Sequence, residues 1–261
     1  KNNWRRKINT KLDNKELKII NAKNELIKVS RHFYSKGWMM GTSGNLSVLI
    51  DDSRHSEPSR FAQGKLREES NNGSGSFTNV QDDSVTFEFL ITASGKNKGE
   101  LTVNDFILVN KSGNSVLSPQ SSVLQPSAET LLHSAIYKYT DAKAIYHVHT
   151  TNVTLLSTLP LSGHGLQCPY TTFTGLEMLK GLGFKTHDVT VNIPIIENSQ
   201  DMEYIASIAH DYIDESVPGL ILRGHGIYGW GKTLEEAKRH IEIFEFLFEY
   251  RVKELTLRNL N

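Results

Sequence analysis

The chain has 261 residues, 38% of them apolar, and 29 lysines and arginines against 29 aspartates and glutamates. That is enough apolar content for one enzyme-sized domain, and a formal net charge of zero excludes the long basic or acidic field that drives nucleic-acid or membrane-surface binding. A single cysteine excludes an internal disulfide and a zinc-finger spacing, and no apolar run nears the length of a membrane span, which points to a reducing, cytoplasmic compartment.

The chain begins at Lys1 and not Met, which leaves a removed leading segment open. Leu17, Ile20, Leu26, Ile27, Val29, Phe33 and Tyr34 recur at helical intervals and predict a helix over 15–38, stopped at Gly37. A glycine-rich loop at 41–47 feeds a strand at 48–50. From 51 to 83 the composition turns to Ser, Asn, Gly, Glu and Arg; the stretch reads as a mobile surface insertion in a single domain spanning 1–261. A β-rich run at 85–91 ends in Thr92-Ala-Ser-Gly95, and 106–109 followed by Gly113-Asn114 reads as a hairpin entry. Ser127 is expected to cap a helix that continues to Tyr137. A strand at 144–149, a helix at 152–159, a helix at 175–182, a strand at 188–196 and an amphipathic helix at 202–213 follow. Strands at 220–222 and 227–230 flank a tight Arg-Gly-His-Gly turn, and a long helix covers 233–255. This mixed order predicts an α/β sheet with helices on its faces and some antiparallel pairing, not a doubly wound parallel fold.

His147 and His149 are two apart on a predicted strand, so both side chains leave one face and can converge on one ion. His225 stands between two glycines, where a backbone without Cβ atoms can present an imidazole into a cavity. Three imidazoles with an open position suit a catalytic zinc or similar ion; the alternative is three hydrogen-bonded core histidines. Glu129 reads first as an anion placed in the first turn of a helix, with metal ligation or acid/base work as its alternative. Glu177 reads first as a solvated helix-face carboxylate, with a catalytic base as its alternative. The loops at 41–45 and 92–95 either merely turn the chain or offer hydroxyls and backbone N–H groups to a phosphate, with Lys96 and Lys98 adding charge. His32, His55, His133, His164, His187, His210 and His240 read as helix-face or loop residues without a role. Trp230, Phe244, Phe246, Phe248 and Tyr250 read as core or subunit contacts.

Taken in order, GTSGNLS (41–47), TASGKNKGEL (92–101), PSAETLLH (126–133), HVH (147–149), VPGLILRGHGIYGWG (217–231) and the final helix resemble the class II aldolase and adducin family. The likeness runs from about 23 to 255 and is interrupted at 51–83. GLEMLKGLG (175–183), VNIPIIENS (191–199) and WGKTLEEAKRHIEIFEFLF (230–248) look most like its dehydratases of 2-keto sugar phosphates. The resemblance implies an α/β/α sandwich around a mainly antiparallel sheet, and a homotetrameric ring with active sites between subunits. It implies Zn2+ on His147, His149 and His225, and Glu177 at the acid/base position of those dehydratases. Glu129 matches the metal-ligating catalytic carboxylate of the family's aldolases. Ser43, Gly44, Asn45, Thr92, Ser94, Gly95, Lys98 and Ser127 are the implied phosphate site. An aldolase, an epimerase and a non-catalytic adducin-like binding module are the other readings.

Overall fold

The computed structural model describes residues 14–52, 86–116, 124–159, 169–214 and 216–258. In chain order these form α1 (Asn14–Ser35), β1 (Asn45–Asp52), β2 (Phe87–Thr92), β3 (Phe106–Asn110), α2 (Thr130–Tyr139), β4 (Ala144–Val148) and α3 (Thr151–Thr158). Then follow β5 (Tyr170–Thr174), β6 (Thr190–Ile196), α4 (Met202–Ile208), β7 (Gly219–Leu222), β8 (Gly226–Gly231) and α5 (Leu234–Arg258). The eight strands make one sheet in the order β3-β2-β1-β4-β8-β7-β6-β5. Every neighbouring pair is antiparallel except β6 with β7.

Strand alternation sorts the core into two layers. Leu46, Val48 and Ile50 of β1 and Ala144, Tyr146 and Val148 of β4 point to the layer holding residues of α1, α3 and α5. Leu49 and Ile145 point the other way, where α2 and α4 pack. By the same period Asn45, Ser47 and His147 fall on the α2 side. α5 buries Ala237, His240, Ile241, Phe244, Leu247 and Phe248 at helical spacing, so one stripe faces the sheet while Phe246 and Tyr250 face outward. None of the described helices is long and apolar enough to cross a membrane.

The α/β class, the two helical layers and the mainly antiparallel sheet agree with the expectations above. Several boundaries do not. β1 starts at Asn45, so Asn45 and Ser47 belong to the sheet and not to the glycine-rich loop. α2 starts at Thr130 with Glu129 at its N-cap position; Ser127 lies two residues ahead, where its hydroxyl accepts Glu129 N–H at 3.4 Å and the Asn45 amide at 3.1 Å. Residues Glu177–Leu182 form a 3₁₀ turn, ended by Gly183 in the left-handed region, where the sequence predicts an α-helix. The helix expected at 202–213 tightens to 3₁₀ geometry at Ala209. β5 has no counterpart among the predicted strands, because Tyr-Thr-Thr-Phe-Thr buries only Thr171 and Phe173 and carries little apolar signal. The expected turn at 113–114 is present, with Gly113 N–H on Asn110 C=O at 2.9 Å. Residues 53–83 of the expected insertion lie outside the described residues.

Phe244 is fully buried, and its ring lies where a Cβ on Gly219 would be 2.4 Å away. Phe244→Ala is expected to cost about 3–5 kcal/mol of stability, read as a lower urea midpoint. An unchanged midpoint would show that this contact does not seat α5 on the sheet.

Candidate metal centre and substrate cleft

Antiparallel register places the key residues side by side. Asn45 of β1 pairs with His147 of β4, and His147 pairs with Tyr228 of β8. The three side chains therefore form a row across adjacent strands on the α2 face. Tyr228 stacks on the His147 ring at 3.9 Å and 14°. The strands must approach closely here: a Cβ on Gly226 would lie 2.3 Å from the Val148 carbonyl and 2.8 Å from His147 Cε1. A Cβ on Gly44, whose φ is +71°, would meet the His147 carbonyl at 2.6 Å. Glycine is required at both positions for the row to close.

His149 follows β4 directly, and His225 sits in the β7–β8 turn. With Glu129 at the start of α2 they complete a group whose donor atoms all lie within 4.8 Å of one another. His147 Nε2 is 2.8 Å from His149 Nε2 and 3.4 Å from Glu129 Oε2, and His225 Nε2 is 3.0 Å from Glu129 Oε1. Two of the remaining ring nitrogens are occupied: His147 Nδ1 lies 3.1 Å from the Ile227 carbonyl and His225 Nδ1 3.3 Å from Asn198 Oδ1. An Nδ1–H donated to each oxygen leaves the Nε2 lone pairs facing the centre. Tetrahedral zinc ligands stand roughly 3.4 Å apart, so this donor set fits one divalent ion.

Burial decides the charges. It pushes His147 well below its ordinary value and His149 down to about 4, which keeps both imidazoles neutral and available as ligands. Burial works against the charge on Glu129, but the facing His147, the His225 contact and the Asn45 amide outweigh it and hold the carboxyl well below the usual carboxylate range. Glu129 is therefore an anion beside the neutral His147 and His149 rings.

A cleft of about 180 Å³ opens beside this group. Its wall includes Ser43, Gly44, Asn45, Ser94, Gly95, Lys98, Ser127, Glu129 and His149, so both expected loops meet at the metal candidate. The segment at 92–95 is tied to the approach to α2 by the Ala93–Pro126 bridge and by Ser94 N–H on Gln125 C=O at 2.9 Å. Lys98 is buried, with Nζ on the Thr42 and Lys96 carbonyls at 2.9 Å each, and burial brings its pKa down to about 8. An ammonium has three donors, so one remains for a ligand.

Two expected phosphate contacts are otherwise engaged. Thr92 is not part of the wall; its hydroxyl accepts Leu46 N–H at 3.2 Å and joins β1 to β2. The Asn45 side chain is spent on Glu129, Ser127 and His133. Glu177 lies apart from the four-residue group and from the cleft wall, exposed at the start of its 3₁₀ turn. It is paired with Lys180 at 2.6 Å, which lowers its pKa, and lies 3.5 Å from His187. Sequence reasoning missed Asn198, which orients His225, and Tyr228 and His133, both fully buried beside the site. The spacing of four between Glu129 and His133 was the one available signal for the last.

Residues 24–252 match the family profile of the class II aldolase and adducin N-terminal domain. The chain belongs to the class II aldolase and adducin family. It is 38% identical to methylthioribulose-1-phosphate dehydratase of Persephonella marina, over 89% of this chain and 88% of that one. The identity to the enzyme of the same name from Bacillus subtilis is also 38%, over 90% and 94%. The sugar-phosphate aldolase of Thermotoga maritima shares the fold, with a TM-score of 0.60 at 20% identity over 92% of this chain and 97% of that one.

Because His149 titrates near 4 in the folded protein against its ordinary value of 6.5, the unfolded chain takes up its proton first as pH falls. The metal-free protein is expected to lose about 3 kcal/mol from His149 alone between pH 6.5 and about 4, with full stability above that window. Urea midpoints of metal-free protein across this range measure it. Equal midpoints would mean that the native imidazole accepts a proton as readily as the unfolded one.

Proposed function

We propose that the chain dehydrates 5-methylthioribulose 1-phosphate to 2,3-diketo-5-methylthiopentyl 1-phosphate, the water-releasing step of methionine salvage. The observation that carries this reading is a hydroxyl-lined cleft with the Lys98 ammonium in its wall, opening onto three imidazoles and a carboxylate. Identity near 38% across nine-tenths of the chain to dehydratases of that name supports the choice of substrate.

Ser43, Gly44, Ser94, Gly95, Ser127 and the spare donor of Lys98 receive the phosphate and aim the sugar at the cluster. His147, His149 and His225 would hold Zn2+ or another divalent ion, which would supply Lewis-acid stabilisation of negative charge on a keto oxygen. Loss of water needs the C3 proton removed and the C4 hydroxyl protonated as it leaves; the resulting enol becomes the diketone by moving one proton from oxygen to carbon.

Both Glu129 oxygens are already engaged, Oε2 by the Asn45 amide and Oε1 by His225 at 3.0 Å, which leaves the carboxylate poorly placed to take a substrate proton. Glu129 therefore serves as a fixed negative charge and oxygen donor beside the imidazoles, and the C3 proton falls to Glu177. Since Glu177 is exposed and outside the cleft of its own chain, this assignment goes with a homotetrameric ring in which a neighbouring copy completes the site.

The two carboxylates should separate experimentally. Glu129→Gln is expected to weaken divalent-ion binding, measured as metal retained after dialysis. Glu177→Gln should keep its metal while turnover, followed as diketone formation, drops by about 100-fold or more. Near wild-type turnover in Glu177→Gln would remove it from the chemistry. Two carbon fragments in place of water and diketone would instead make the protein an aldolase.

A further inference from the structure

Behind Glu129 runs a row of buried polar side chains that the proposed reaction does not use. Glu129, His133 and Tyr137 recur every four residues from the N-cap of α2 along the helix. Asn45 and Ser47 are two apart on β1. Four helical residues rise about 6 Å and two strand residues about 6.8 Å, so the two series keep step and interleave. Asn45 Nδ2 donates to Glu129 Oε2 and reaches Ser127 Oγ at 3.1 Å. Asn45 Oδ1 meets His133 Nε2, His133 Nδ1 is 2.7 Å from Ser47 Oγ, and Ser47 Oγ is 2.8 Å from the Tyr137 hydroxyl.

One charge sets the direction of every bond in this row. A carboxylate offers only acceptors, so Asn45 must turn its NH2 toward Glu129. Its oxygen then faces His133 and needs a donor, which places the ring hydrogen on Nε2. His133 is fully buried and both its nitrogens meet neutral partners, so a charged ring would be uncompensated. Nδ1 is then the acceptor, Ser47 donates to it, and Tyr137 donates to Ser47. The other tautomer would reverse the amide and set its oxygen against the carboxylate.

We propose that His133 is a positioning residue: as the neutral Nε2–H tautomer it locks the Asn45 amide with its NH2 toward Glu129, and so holds the carboxylate at the imidazole cluster. The effect on turnover rests on the dehydratase reading, whereas the tautomer does not.

The full chain labelled with 15N-histidine tests the first part directly. The ring whose signals vanish in His133→Gln should show a protonated Nε2 and an unprotonated Nδ1 from pH 6 to 8, and an Nδ1–H tautomer or a cation would overturn the proposal. Turnover tests the second part. A glutamine can put an NH2 where Nε2 stood, while an asparagine is one carbon too short. His133→Asn is expected to lower kcat roughly 10- to 100-fold with KM for 5-methylthioribulose 1-phosphate unchanged, and His133→Gln to recover most of the loss. Equal losses in the two variants would overturn the positioning role. Absence of turnover in the wild-type protein would sink the dehydratase reading alone, and the tautomer would then decide the fate of His133.

Discussion

The register of three antiparallel strands governs this molecule. Asn45, His147 and Tyr228 face one another across β1, β4 and β8, and each owes its direction to a strand period of two. A slip of one residue in β4 would send His147 into the layer occupied by α1 and α5, and would bring Val148 to the metal candidate in its place. The glycines at 44 and 226 belong to the same constraint, because any Cβ there would strike the His147 or Val148 carbonyl. The core on both faces thus fixes the site. The two apolar layers hold the register, and the register holds the polar row.

Placing such a row in the interior has an electrostatic cost that the structure meets in a particular way. Burial disfavours charge on His147 and His149, and the cluster keeps a single anion, Glu129, anchored by Asn45 and His225. Three neutral donors and one carboxylate leave a divalent cation with net positive charge, which is what polarising a keto oxygen requires. More carboxylates would hold the ion more tightly and weaken it as a Lewis acid. On the cleft side, Lys98 is buried yet bound to two backbone carbonyls, so its side chain is held in place at the cleft wall.

The parts of this arrangement visible in the sequence are those that depend on local periodicity. The pair His147 and His149 is legible from strand alternation, His225 from its flanking glycines, and the helices and most strands from apolar spacing. Glu129 is ambiguous, because a carboxylate in a first helical turn has a sufficient local explanation and only the fold shows it among the imidazoles. Asn45 and Ser47 look like loop residues because glycines precede them and the strand starts earlier than its apolar run. His133 looks like a helix-face residue because its partners lie more than eighty positions away on β1. Thr92 has the composition of a phosphate ligand, yet its hydroxyl is consumed by the sheet. Tertiary pairing assigns each of these side chains, and composition carries no record of it.

The fold and the metal candidate do not by themselves select a reaction. A sugar-phosphate aldolase with 20% identity has the same architecture, while the dehydratases are the relatives that share 38%. Stabilising charge on a keto oxygen serves carbon–carbon cleavage and loss of water alike. What distinguishes them is which group meets the proton and where it stands along the sugar. Glu129 is fixed on the sheet side, with the Asn45 amide on one oxygen and His225 on the other. On the proposed reading, the acid/base group that selects the reaction approaches from the open side of the cleft. Residues displayed there, outside the row set by the strands, are free to change without disturbing the register. On that same reading, chemical specificity in this chain is carried by its surface, with Glu177 on an exposed 3₁₀ turn as the available carboxylate, and Lewis-acid capacity by a metal held in its core.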